Sequence, residues 1–123
     1  MEEVKGISMY FRNDRIHIRK GTIEALNNPK YVHFHMNEEQ KQLFIARCEK
    51  DEDSFRVYYK KSDESEETSP LVCYINAKRI LDYFARVVGV RRNSDSLRFK
   101  GEVYEEGRIV FIDLSNYEVI THD

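Results

Sequence analysis

Three sets of side chains in this sequence could do chemistry. The first is basic. Lys78, Arg79, Arg86, Arg91, Arg92, Arg98 and Lys100 fall within residues 78–100, where seven Lys/Arg meet only two acids, Asp82 and Asp95. Residues 101–123 reverse the balance, with six acids against Arg108. Such segregation can place a basic face on a nearly neutral molecule. Arginine forks engage phosphate oxygens well, which makes the basic set a candidate phosphate-contacting surface. A plainer reading also fits, because cations such as Arg91 and Arg92 suit the C-terminal end of a helix dipole.

The second set is His17, His33 and His35. His33 and His35 are two apart in a strand-like run and therefore share a face. If His17 lay on a paired strand, three imidazoles could hold a divalent metal. A solvated polar face explains the same alternation, and no metal site is assigned. The third set is acidic: Glu49, Asp51, Glu52 and Asp53, then Asp63, Glu64, Glu66 and Glu67. It lacks the central glycine of a calcium-binding loop. It reads as solvated loop or, more sharply, as a surface that meets a basic host protein.

Signals for catalysis are absent. There is no G-x-S-x-G elbow and no glycine-rich phosphate loop. Cys48 and Cys73 form no C-x-x-C pair, and each sits in an apolar run where a free thiol acts as a small buried hydrophobe. The expectation is a non-enzyme with no cofactor.

The elements that must position these groups follow from patterning. A chain of 123 residues suits one domain. Hydrophobic residues make up 41% and charged residues 34%, and the net charge is −2, too small to identify a partner. Eight Tyr, seven Phe and no Trp favour a sheet-rich core. No signal-peptide core opens the sequence and no run approaches a membrane span, so the expectation is a cytoplasmic protein, bacterial or phage in source, with no membrane partner.

Residues 7–12 read as a strand, and Asn13-Asp14 as a turn. Arg15 to Ile18 alternates polar and apolar. Ile23 and Leu26 mark a short helix, with Thr22 as its cap and Asn27-Asn28-Pro29 as its end. Val32, Phe34 and Met36 alternate with Tyr31, His33 and His35, and Leu43 to Cys48 returns as a hairpin. Phe55 to Tyr59 is a further strand. Residues 60–70 are polar and read as a joining loop. Leu71 to Ile75 is a buried-type strand. Asn76 is the expected cap of a helix whose apolar stripe is Ile80, Leu81, Phe84, Val87 and Val88, terminated by Gly89. Leu97 to Tyr104 and Arg108 to Leu114 form a second hairpin.

The fold class expected is α+β: two β-α-β-β units in a mostly antiparallel sheet, with one short and one longer helix. One domain spans 1–123, with a pseudo-repeat of 7–59 and 71–120.

The run Arg15-Ile16-His17-Ile18, Ile23-Glu24-Ala25-Leu26, Tyr31-Val32-His33-Phe34 and Leu43-Phe44-Ile45 resembles the swapped-hairpin unit of AbrB/SpoVT/MazE-type proteins. Members run as a short strand opened by Arg, a turn of helix ending in Leu, then a hairpin. Where the family usually has Pro after the strand, this chain has Arg19. The resemblance covers residues 15–48. It implies a DNA-binding regulator built from two such units, usually a homodimer. Nucleic-acid contacts are then expected from Arg15, Arg19 and Lys20, joined by Arg86, Arg91 and Arg92. The alternative is a phage or mobile-element protein that modulates a host complex through Asp63, Glu64, Glu66 and Glu67.

Overall fold

The computed structural model describes residues 5–61, 71–93 and 95–120. Among these residues nine strands form one antiparallel sheet, and two α-helices pack against it. The strands are β1 (Gly6–Tyr10), β2 (Arg15–Ile18), β3 (Tyr31–Asn37), β4 (Gln42–Cys48), β5 (Phe55–Arg56), β6 (Tyr58–Lys61), β7 (Leu71–Asn76), β8 (Ser96–Glu105) and β9 (Ile109–Ile120). The helices are α1 (Lys20–Ala25) and α2 (Lys78–Val88). This is a mostly-sheet α+β architecture.

The order across the sheet is β5-β3-β4-β9-β8-β1-β2-β7-β6. Its two end strands are neighbours in sequence, separated only by Val57, whose amide donates to the Lys30 carbonyl. One short stretch therefore pairs with β3 through its first half and with β7 through its second. The sheet rolls round until its ends meet.

Alternation decides which side chains face the interior. Ile7 and Met9, Ile16 and Ile18, Cys73 and Ile75, and Leu97 and Phe99 are all buried. The residues between them take the opposite face, where His17, Tyr74 and Arg98 are half-buried and Ser8 is buried. Ile23 and Leu26 of α1 and Leu81, Phe84, Ala85 and Val88 of α2 complete the core. Gly89 ends α2 in the left-handed conformation, as its type predicts.

Local details differ from the sequence reading. Residues 11–13 form a turn of 3-10 helix rather than extending β1, which lets the Phe11 ring enter the core. Thr22 does not cap α1, whose N-cap is Arg19. Its hydroxyl turns to β1 instead, accepting from the Gly6 amide at 2.7 Å and donating to the Gly6 carbonyl at 3.0 Å. The N-cap of α2 is Ala77 rather than Asn76. β9 runs on past Leu114 to Ile120, because Tyr117 and Val119 pair with Phe99 and Leu97 after a register shift between Phe99 and Gly101.

Candidate functional site

β1 is inserted between β2 and β8. Its pairing sets Ser8 opposite His17 on one side and Arg98 on the other, and Gly6 opposite Lys100. Outward residues of three strands are thereby aligned. Arg98 and Lys100 alternate with buried Leu97 and Phe99, so they must face out from β8. Arg19 follows β2, and its amide donates to the Gly6 carbonyl at 3.0 Å. The Lys5 carbonyl accepts from the Gly101 amide at 3.0 Å.

The result is a cleft of about 650 Å³ into which Lys5, Arg19, Arg98 and Lys100 converge. Glu102, Asp113 and Glu118 also line it, together with the rings of Phe111 and Tyr117. None of these four cations is held in an ion pair among the described residues. Arg98 Nε is buried and has no hydrogen-bond partner among them. Asp113 is held by Ser115, whose hydroxyl and amide lie 2.6 and 2.9 Å from its Oδ1, and these bonds lower its pKa.

Close backbone approach joins β1 to β8 beside the cleft. A Cβ added at Gly6, where φ is +148°, would lie 2.1 Å from the Phe99 carbonyl oxygen. At Gly101 it would lie 2.8 Å from Ile112 Cδ1 and 3.2 Å from the Gly6 amide nitrogen. Only glycine lets the two backbones approach this closely.

The outward face continues across β2 onto β7 and β6. The Arg15 guanidinium lies 4.4 Å from the Tyr74 ring centroid. Tyr74 stacks on Tyr58 at 5.3 Å and 20°, and Arg56 covers Tyr58 at 5.3 Å. His17 sits between Tyr10 and Tyr74, at 4.4 and 6.1 Å between ring centroids. Burial, and secondarily the charge of Arg15, hold its imidazole below the ordinary pKa. It is therefore neutral at physiological pH.

The six basic residues expected to contact nucleic acid fall into distinct settings. Arg15 opens β2, and Arg19 and Lys20 follow its other end at the start of α1, with Lys20 paired to Glu24 at 3.8 Å. Arg86 lies on α2, 5.8 Å from the Tyr83 ring. Arg91 is exposed beyond α2. Arg92 is engaged internally: it bonds to the Phe11 carbonyl and the Asp14 carboxylate, and its Nε lies 2.7 Å from Asp82. Two carboxylates thus neutralise it. Asp63, Glu64, Glu66 and Glu67 lie outside the described residues.

The three histidines do not gather. His33 and His35 share a face of β3, 6.0 Å apart between centroids. His33 bonds to Asp51 at 2.8 Å, while His17 packs between its two tyrosines. Among the described residues no group of three or more His, Cys, Asp or Glu could hold a metal ion. No described helix is long and apolar enough to cross a membrane.

Arg98 and Lys100 belong to the basic set seen in the sequence, and their alternation with Leu97 and Phe99 signals their outward direction. Lys5 carries no such signal. What sequence reasoning missed is the insertion of β1, which joins Lys5 and Arg19 to them. Compared with protein-family models, curated proteins and solved structures, the chain matches none.

Proposed function

We propose that this chain is a non-catalytic regulatory module that binds nucleic acid, an AbrB-like regulator in kind. The observation that carries this reading is the convergence of Lys5, Arg19, Arg98 and Lys100 in one cleft with no ion pair to neutralise them among the described residues. A protein of net charge −2 gains nothing from bulk attraction to phosphate, so contact must come from a local patch. Arg15, at the other end of β2, offers a second contact on the outward face. Stacking on Tyr74 orients its guanidinium while leaving the in-plane N–H donors able to reach phosphate oxygens.

The same reading takes the chain as two β-α-β-β units, β2-α1-β3-β4 and β7-α2-β8-β9. The pairing pattern supports it, since counterpart lies on counterpart: β2 against β7, and β4 against β9. In the same way β1 lies between β2 and β8, while β5 and β6 lie between β3 and β7.

Fluorescence anisotropy with labelled duplex and single-stranded oligonucleotides at low salt tests the proposal. Binding should weaken steeply with added salt, because each neutralised phosphate contributes about −0.9 to the log–log slope on duplex. Absence of binding to either form at micromolar protein would overturn it.

A further inference from the structure

We infer that the cleft between β1, β8 and β9 binds the phosphomonoester of a nucleotide, either free or at the 5′ end of a strand. The inference deepens the nucleic-acid reading and rests on it for the choice of a nucleotide over other anions. It starts from an unfilled requirement. Arg98 Nε is buried and has no acceptor among the described residues, and a buried donor of this kind calls for a partner. Glu118 stands opposite Arg98 in the β8–β9 register, yet no ion pair forms between them.

The geometry around that donor suits a dianion better than a diester. Lys5, Arg19 and Lys100 line the same cleft, reaching it from the start of β1, the β2–α1 junction and β8. A phosphodiester carries one negative charge. A terminal phosphate carries nearly two near neutral pH, with three oxygens free for charge-assisted bonds. Four lining cations exceed the three lining carboxylates, Glu102, Asp113 and Glu118, and the cations favour the more highly charged group. The cleft volume of about 650 Å³ lies within the range of small-ligand sites, so it holds more than the phosphate alone.

The remaining lining residues fit a nucleoside. Tyr117, on β9, is 43% exposed, with its ring centroid 5.8 Å from that of Phe99, and could stack on a base. Glu102 and Glu118 could accept from sugar hydroxyls or an exocyclic amine.

The site is also built to stay in place. Thr22 pins Gly6 through two hydrogen bonds, Gly6 receives the Arg19 amide, and Lys5 receives the Gly101 amide. Three of the elements carrying cations are therefore tied together through backbone groups.

The test uses the full chain with adenosine 5′-monophosphate, adenosine, inorganic phosphate, and one single-stranded oligonucleotide with and without a 5′-phosphate. Affinities come from calorimetry and anisotropy, and location from amide shifts of Gly101 and Tyr117. The nucleotide should bind saturably and at least about tenfold more tightly than adenosine, and the 5′-phosphorylated strand should be preferred by a similar factor. Arg98→Gln should remove both preferences, and Arg98→Lys should restore them only in part, because the fork is lost. Lys50→Gln, at an exposed position just after β4 and away from the cleft lining, should change neither.

If the strands bind equally well and the monophosphate does not bind, the inference fails and the nucleic-acid reading stands. If the monophosphate binds at the cleft and neither strand does, the strand reading fails and the site is one for a free nucleotide. Shifts confined to Arg15 and Tyr74 would also overturn the cleft assignment. An Arg98→Gln chain with unchanged melting temperature and unchanged affinities would do the same.

Discussion

The Arg15 guanidinium rests on the Tyr74 ring, 4.4 Å from its centroid, across the seam between β2 and β7. Tyr58 covers the ring from β6, and Arg56 covers Tyr58. In space the order Arg15, Tyr74, Tyr58, Arg56 is a cation–aromatic stack linking four strands, β2, β7, β6 and β5. Arg15→Ala should lower stability by about 0.5–1 kcal/mol, the worth of an exposed contact of this kind. It should also flatten the salt dependence of oligonucleotide binding. Tyr74→Phe keeps the ring and should match the native protein in both respects. Chemical denaturation and anisotropy check the pair.

Arg92 serves a different purpose from Arg15, although both are arginines close to Asp14. Its bonds to the Phe11 carbonyl, Asp14 and Asp82 tie the 3-10 turn to α2. Asp82 is well exposed, so solvent weakens that ion pair. Arg92→Ala should cost about 1–2 kcal/mol, chiefly from the bonds to Phe11 and Asp14. Oligonucleotide affinity should change little at a temperature where the variant remains folded. A large loss of affinity with unchanged stability would return Arg92 to the contact surface.

Thr22 is fully buried, and both of its hydroxyl bonds go to Gly6. Thr22→Val preserves shape but leaves the Gly6 amide unsatisfied. The expected cost is about 1–3 kcal/mol. Thr22→Ser should recover most of it. Urea midpoints for the three proteins decide the matter.

Two glycines should respond differently to alanine. At Gly6 the added methyl would strike the Phe99 carbonyl oxygen, a backbone atom that cannot swing away, in a conformation L-residues rarely adopt. The loss should exceed about 2 kcal/mol. At Gly89 nothing lies within 4 Å of the added carbon, so only the left-handed backbone opposes it. There the loss should be about 1 kcal/mol. Thermal unfolding of both variants provides the comparison.

The His17 pKa is depressed below 6.5, first by burial and then by Arg15. The unfolded chain therefore binds the proton more readily than the folded one. His17's contribution is complete above the unfolded value of about 6.5 and is lost as pH falls below it toward the folded value. Melting temperature should drop across that window, and His17→Gln should flatten this limb. Asp51, whose pKa is lowered chiefly by the bond from His33, contributes a separate loss at lower pH, below the ordinary carboxylate range.

Much of the local structure was legible because it follows from short-range patterning. The α2 stripe, the Gly89 terminator and both hairpins obey periods that neighbouring residues alone determine. The details that escaped are those where a distant group outcompetes the local rule. Thr22 has the right type to cap α1, but Gly6, sixteen positions away, takes its hydroxyl. Phe11 looks like a strand residue, yet the core draws it into a 3-10 turn.

The candidate site divides in the same way. The outward direction of Arg98 and Lys100 is written in their alternation with Leu97 and Phe99. Their meeting with Arg19 depends on β1 entering between β2 and β8, a long-range pairing that no local pattern announces. Arg92 shows the converse: its type suited a phosphate contact, and two carboxylates distant in sequence claimed it.

The short stretch around Val57, by binding β3 with one half and β7 with the other, acts as a keystone. An open sheet leaves a row of unpaired amides and carbonyls on which foreign chains can template, and a rolled sheet hides most of that row. Loosening residues 55–61 would unzip both borders at once. Self-association through strand addition should therefore begin there, ahead of any failure in the aliphatic interior.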